Sequence, residues 1–281
     1  MNKWKLVADS SCCLTKEANG NQFSTPFETA PLTIKVDGTE YVDKYGLDVE
    51  KMIDHMKAYG KVCSTSCPSV SEYANCFEDA ENILCITISS NLSGSYNSAV
   101  QARNMVLEEH PEKNIYILDS KSTAGDMILM LRHADELISQ GKSFEEVCSA
   151  MEEHVKQTRI LFSLACFDNL INAGRMGKIT GMIASALKIR PVATNSPEGT
   201  IEVIEKPRGE KKAIDKMVEL MGRYKDMDGR SVIIINCRNE EGSLALKKAI
   251  EKTYKVKSVE IMKGTGLVAY YSDVGSLLLS F

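Results

Sequence analysis

The sequence predicts an α/β protein in two domains, the first built on a parallel sheet covered by helices. Three observations lead there. The chain has 281 residues, many for a single hydrophobic core. Its first half repeats a unit of apolar run, polar burst and amphipathic stretch, which is how strand–loop–helix units read. Past about residue 158 the repeat gives way to short apolar runs and turns, so the expected division is 1–158 and 159–281.

Taken in order, KLVA runs into Asp9-Ser10-Ser11, and KVC into Ser64-Thr65-Ser66-Cys67-Pro68-Ser69. ILCITI runs into Ser89-Ser90-Asn91-Leu92-Ser93-Gly94-Ser95, and NIYIL into Asp119-Ser120-Lys121-Ser122. The last three bursts precede amphipathic stretches that predict helices over 70–80, 96–109 and 124–140. Ser69 and Glu72 have the spacing of a capping box, which marks a helix start. Strands alternating with helices predict a parallel sheet. Loops beyond the carboxyl ends of such strands share one edge of the sheet and form its crevice, where helix N-termini favour anions. Any one burst also reads as helix caps and turns. Four in alignment point to a binding site. A helix over 143–158 follows, then short strands with turns at Pro197–Gly199 and Asp228–Gly229. A buried strand at 231–236, a helix at about 240–253 and two short strands within 264–281 complete the chain.

Composition excludes several classes. The formal net charge is −4, whereas a nucleic-acid binder needs a basic surface to displace counterions. No uncharged apolar run reaches the ~18 residues of a membrane span. The start, MNKWKLVADSS, turns polar too soon for a signal peptide, so the expected location is the cytoplasm. Nine cysteines are scattered, without a second close pair at zinc-finger distance from Cys63-x-x-x-Cys67, and read as buried free thiols. Between 172 and 212, eight basic residues stand against four acids, a patch that suits a solvated face or an acidic partner.

The familiar catalytic motifs fail. AGRMGKIT resembles a P-loop only superficially: no glycine precedes Gly177 by five residues, and Ile179 holds the Ser/Thr position. GTGLVA, at 264–269, is followed by too little chain for a dinucleotide-binding unit. LSGSYN lacks the Gly-x-Ser-x-Gly of a nucleophile elbow. The histidines, at 55, 110, 133 and 154, lie in or beside helical stretches away from the bursts. A serine hydrolase acting on lipid esters and a phosphate-sensing domain using the same loops stand as the alternatives.

In order along nearly the whole chain, these residues resemble the DegV family of fatty-acid-binding proteins. The resemblance rests on Asp9-Ser10, on PLTI at 31–34, on Tyr41-Val42-Asp43 and on Thr65-Ser66-Cys67-Pro68-Ser69. It continues through ISSNLSGSY at 88–96, Asp119-Ser120, Ala173-Gly174-Arg175-Met176-Gly177 and Arg190-Pro191. It implies a three-layer α/β/α first domain and a smaller mixed α/β second domain. A long-chain fatty acid such as palmitate, stearate or oleate would lie buried between them, with no cofactor, no metal and no catalysis. By the same resemblance Thr65 and Ser93 hold the carboxylate, with Ser66, Gly94, Ser10 and Tyr271 around it. Arg175 marks a surface for a fatty acid kinase partner, and a carrier of this kind is expected to touch membrane surfaces only transiently. The chain departs from the family where its usual histidine is Tyr271, a hydroxyl that carries no positive charge at neutral pH. Cys67 and Ala173 replace a glutamine and a glycine. The expected tail-lining residues are Ile160, Leu161, Phe162, Leu164, Phe167, Leu170, Ile171, Met182, Ile183 and Leu187.

Overall fold

Three β-sheets and ten α-helices make up the computed structural model, which describes residues 4–19, 22–176 and 189–281. The first sheet is wholly parallel, in the order β2 (Phe27–Ala30), β1 (Trp4–Asp9), β6 (Asn82–Thr87), β7 (Asn114–Asp119). β6 is buried at every position, as an interior parallel strand with both faces covered must be. On one face lie α3 (Val70–Cys76) and α4 (Ser95–Glu109), which bury Tyr73, Ala74, Ala99 and Ala102 against Val7 and Ile83. On the other lie α5 (Gly125–Ser139) and α6 (Phe144–Gln157). This is the three-layer arrangement that the resemblance implied. The capping box is present: the Ser69 hydroxyl accepts from Glu72 N–H, and the Glu72 carboxylate accepts from Ser69 N–H. α3 stops at Cys76, short of the expected residue 80.

The second burst breaks the repeat. KVC is not a strand; Ser64–Ser66 is itself β5, in a small antiparallel sheet with β3 (Thr33–Val36) and β4 (Thr39–Val42). This sheet carries α2 (Val49–Tyr59), while the short α1 (Lys16–Asn19) sits between β1 and β2.

The third sheet is mixed, in the order β10 (Ile201–Glu205), β9 (Val192–Asn195), β8 (Ile160–Ser163), β13 (Ser276–Ser280), β11 (Ser231–Cys237), β12 (Ser258–Lys263). Every pair is antiparallel except β11 with β12. α8 (Glu210–Tyr224) and α9 (Glu240–Thr253) cover one face, packing Met217, Met221, Leu246 and Ile250 against Leu161 and Ile234. The chain end holds one strand, not two. GLVAYYS forms α10 (Gly266–Ser272), beside the short α7 (Asp168–Asn172).

Length suggested two separate cores, yet the largest core is common to both halves. α5 contributes Met127, Ile128 and Leu131 to a cluster containing Leu84 of β6 and Phe162 and Leu278 of the third sheet. The start of α5 nearly touches that sheet: a Cβ on Gly125 would lie 2.7 Å from Ser280 Oγ, so only glycine fits there. The nine thiols are all free; Cys63, Cys67 and Cys166 are half-buried rather than buried. Among the described residues no helix is long and apolar enough to cross a membrane, and no group of three metal-ligating side chains converges.

Candidate functional site

Two fully buried carboxylates organise the loops around one cavity. Asp9, at the carboxyl end of β1, accepts hydrogen bonds from Ile88 N (2.8 Å), Ser95 Oγ (2.7 Å), Ser11 N (3.2 Å) and the Ser11 hydroxyl. Burial pushes its pKa upward, and these donors work against that rise. A strand end thereby ties the ISSNLSG loop, 79 residues away in sequence, into place. Ser95 N–H in turn donates to Ser93 Oγ at 3.2 Å. With that acceptor position filled, the Ser93 hydroxyl keeps its own proton for a guest. Asp43, following β4, accepts from Gly266 N (2.8 Å) and Leu267 N (3.0 Å) and so caps α10 from another sheet. The cap aims the cavity face of α10, with Leu267, Val268 and Tyr271, at the first half.

The cavity measures about 280 Å³, near the small end of ligand sites. Thr65, Ser66, Cys67, Ser93, Gly94 and Tyr271 line it. Thr65 Oγ1 and Tyr271 Oη lie 2.8 Å apart. One of these two hydroxyls donates to the other, which leaves one O–H free. Arg175 lines the cavity too while staying exposed, and its Nε donates to Leu92 O at 2.9 Å. Its guanidinium therefore sits over the loop carrying Ser93.

Ser10 is not brought in. Its hydroxyl accepts from Leu32 N at 3.0 Å and serves the turn after β1. Of the expected tail residues, Ile160, Phe162, Leu164 and Leu170 line the cavity. Leu161 points to the opposite face of its sheet, Phe167 fills the shared core, and Ile171 is exposed. Met182, Ile183 and Leu187 lie outside the described residues. The sequence reading missed Ile88, Leu92, Ile201, Val268 and Leu278 as wall residues. Leu92, an apolar residue inside a polar burst, was the one visible signal; the others look like core. The turn expected at Pro197–Gly199 is present between β9 and β10, but its docking has no mark in the sequence. That turn docks on the ISSNLSG loop through Ser89 Oγ to Gly199 O (2.7 Å) and Asn91 Nδ2 to Glu198 O (2.6 Å). Gly199 has φ +83°, and a Cβ there would come within 2.9 Å of Lys121 Cα.

The histidines lie elsewhere. His55 meets Tyr41 Oη at 2.7 Å, His133 stacks on His154 at 4.6 Å, and His110 faces Glu112. None of them stands beside the cavity serines, so the hydrolase alternative lacks its histidine.

Residues 3–280 match the family model described as "Uncharacterised protein, DegV family". The chain belongs to the DegV family. A DegV domain-containing protein of Streptococcus pneumoniae is 36% identical over 278 residues, covering 99% of this chain and 98% of the relative. Among solved DegV structures, one from Eubacterium eligens is loaded with heptadecanoic acid. It superposes with TM-score 0.92 at 34% identity, covering 99% of this chain and 98% of the other. The Fatty Acid Kinase (Fak) B3 protein of Streptococcus pneumoniae, loaded with linoleic acid, superposes with TM-score 0.92 at 35% identity over 99% of both chains. Both of these structures thus hold a fatty acid, and the second is a protein of fatty acid kinase.

Proposed function

We propose that this chain binds one long-chain fatty acid of the palmitate, stearate or oleate class in the cavity and performs no chemistry on it. The carboxylate accepts from Ser93 and from the free hydroxyl of the Thr65–Tyr271 pair, with Ser66 and Gly94 beside it. Residues 1–158 carry the loops of Thr65 and Ser93; 159–281 add Tyr271 and close the acyl tunnel. The protein is a cytoplasmic carrier that presents the acid to a fatty acid kinase, the exposed guanidinium of Arg175 facing that partner.

The observation that carries this reading is the joining of O–H donors to an apolar wall within one cavity. A carboxylate leaving water costs several kcal/mol unless hydrogen bonds replace its hydration. Bonds to a charged group are worth roughly 1.5–3 kcal/mol each, so two or three restore the balance without surplus. Affinity then comes from the tail, at about 0.8 kcal/mol per buried methylene before ordering losses. Hydroxyls orient the guest, and hydrocarbon holds it.

The test is organic extraction of purified protein followed by mass spectrometry, with Ser93→Ala as the second arm. Stoichiometric fatty acid is expected in the extract. The substitution is expected to weaken binding of a free acid roughly tenfold, the worth of one charge-assisted bond. Binding of the methyl ester, which has no carboxylate, should hardly change. A lipid-free extract, or equal losses for acid and ester, overturns the proposal.

A further inference from the structure

The cavity has a second polar end, where one buried serine presents a hydrogen-bond sense opposite to that of the first end. Ile160, Phe162 and Leu164 alternate along β8 and the residue after it, and all three line the cavity. They span roughly 13 Å, at 3.3 Å per residue. The Leu164 end adjoins the head-group side: Ser163 pairs with Leu277, and the neighbouring Ser276 hydroxyl bonds to Ser272 O, next to Tyr271. The Ile160 end adjoins Asn195, whose Oδ1 accepts from Ile160 N at 3.2 Å and whose Nδ2 donates to Lys121 O at 3.2 Å. Lys121, Ser122, Thr123 and Asn195 line the cavity there.

At this end the hydroxyl protons of Ser122 and Thr123 are already spent. The buried Ser122 Oγ donates to Asp126 Oδ2 at 2.5 Å, and Thr123 Oγ1 donates to Ser11 O at 3.5 Å. The Lys121 ammonium is held by Asp119 at 2.8 Å. Asp126 is wholly buried, and its Oδ1 has no partner. What Ser122 has left for a guest is acceptor capacity. A bare methyl end leaves that capacity unused, and an O–H satisfies it.

We propose that this end is a subsite for a hydroxyl on the acyl chain, received by Ser122, so that the ligand class includes hydroxylated long-chain fatty acids. The inference rests on the fatty-acid reading of the same cavity and specifies what its far end selects.

Oleic and ricinoleic acids differ by one hydroxyl, and the O-methyl ether of ricinoleic acid keeps the oxygen without the donor. Direct binding of all three to the full chain is measured by calorimetry. Ricinoleic acid is expected to bind roughly fivefold more tightly than oleic acid, the worth of one net hydrogen bond, and the ether to lose that gain. In Ser122→Ala the gain is expected to vanish, read as the ratio of ricinoleic to oleic affinity within the variant itself. Oleic acid binding with no gain from the hydroxyl, or an ether that binds as well as the alcohol, overturns the subsite and leaves the fatty-acid reading standing. Failure of every acid to bind removes both. Should Ser122→Ala not fold, the comparison of alcohol and ether on the unsubstituted chain still decides.

Discussion

A carboxyl group without water takes its character from the few atoms that touch it, and three of them shape this molecule. Asp9 has several donors, Asp43 has the N-terminus of α10, and Asp126 has chiefly one hydroxyl. Burial accordingly lifts the Asp126 pKa from 3.8 to about 6, with Ser122 and Ser280 opposing the rise. The native state then holds a proton that the unfolded chain releases, so this contribution is full below pH 3.8 and is lost as pH rises through 6, roughly 3 kcal/mol in all. His154 acts in the opposite sense. Burial, with His133, Lys225 and Arg230 nearby, lowers it from 6.5 to about 4, so its contribution is lost as pH falls through that range. The two offset each other in the intact protein, and a substitution separates them. Asp126→Asn is expected to gain up to about 3 kcal/mol over the unsubstituted chain at neutral pH and nothing near pH 4, read by urea denaturation. A pH-independent difference contradicts this account.

At the scale of elements, α10 places Tyr271 opposite Thr65, and it does so because Asp43 caps it from another sheet. Removing that cap leaves two buried N–H groups without partners, at about 1–3 kcal/mol each. Asp43→Ala is expected to lower stability by roughly 2–4 kcal/mol and to weaken fatty-acid binding in the fraction that stays folded. Unchanged affinity with lowered stability would separate the cap from the site. The same helix shows where sequence reading stops. GLVAYYS is short, apolar and rich in aromatic and branched residues, so its local preference is that of a strand; a carboxylate 223 residues away makes it a helix. The Ser64–Ser66 burst fails for a similar reason: pairing with β3 makes the burst itself the strand. Where local and tertiary preferences agree, as in the 69–72 capping box and the buried runs of β6 and β11, the elements were legible. Of the cavity lining, Thr65, Ser66, Ser93 and Gly94 stand out in the sequence as parts of polar bursts, whereas Tyr271 is singled out by the family resemblance alone and lies in a stretch that reads as strand. Val268 and Leu278 do not stand out, because an apolar wall facing a cavity has the same sequence as one facing a core.

For the molecule as a whole, the shared core around α5 means that neither half buries its inner face alone. Thermal unfolding is expected as one calorimetric transition of about 200 kcal/mol near 60 °C, with matching van't Hoff enthalpy. Two resolved transitions would show that each half stands by itself. Placing the greasy wall on β8 has a further consequence. β8 is bonded on both sides, by β9 and β13, and its cavity face is every second residue. A slip of one place would turn Ile160 and Phe162 away and offer Leu161 and Ser163 instead, at the loss of both ladders. On the proposed reading, the surface that would gauge the acyl chain is therefore a fixed ruler, its graduations cut into an interior strand of the sheet. If the cavity takes a fatty acid as proposed, changes in which lipid is preferred fall at the ruler's two stops, in the loops, where single side chains are free to vary.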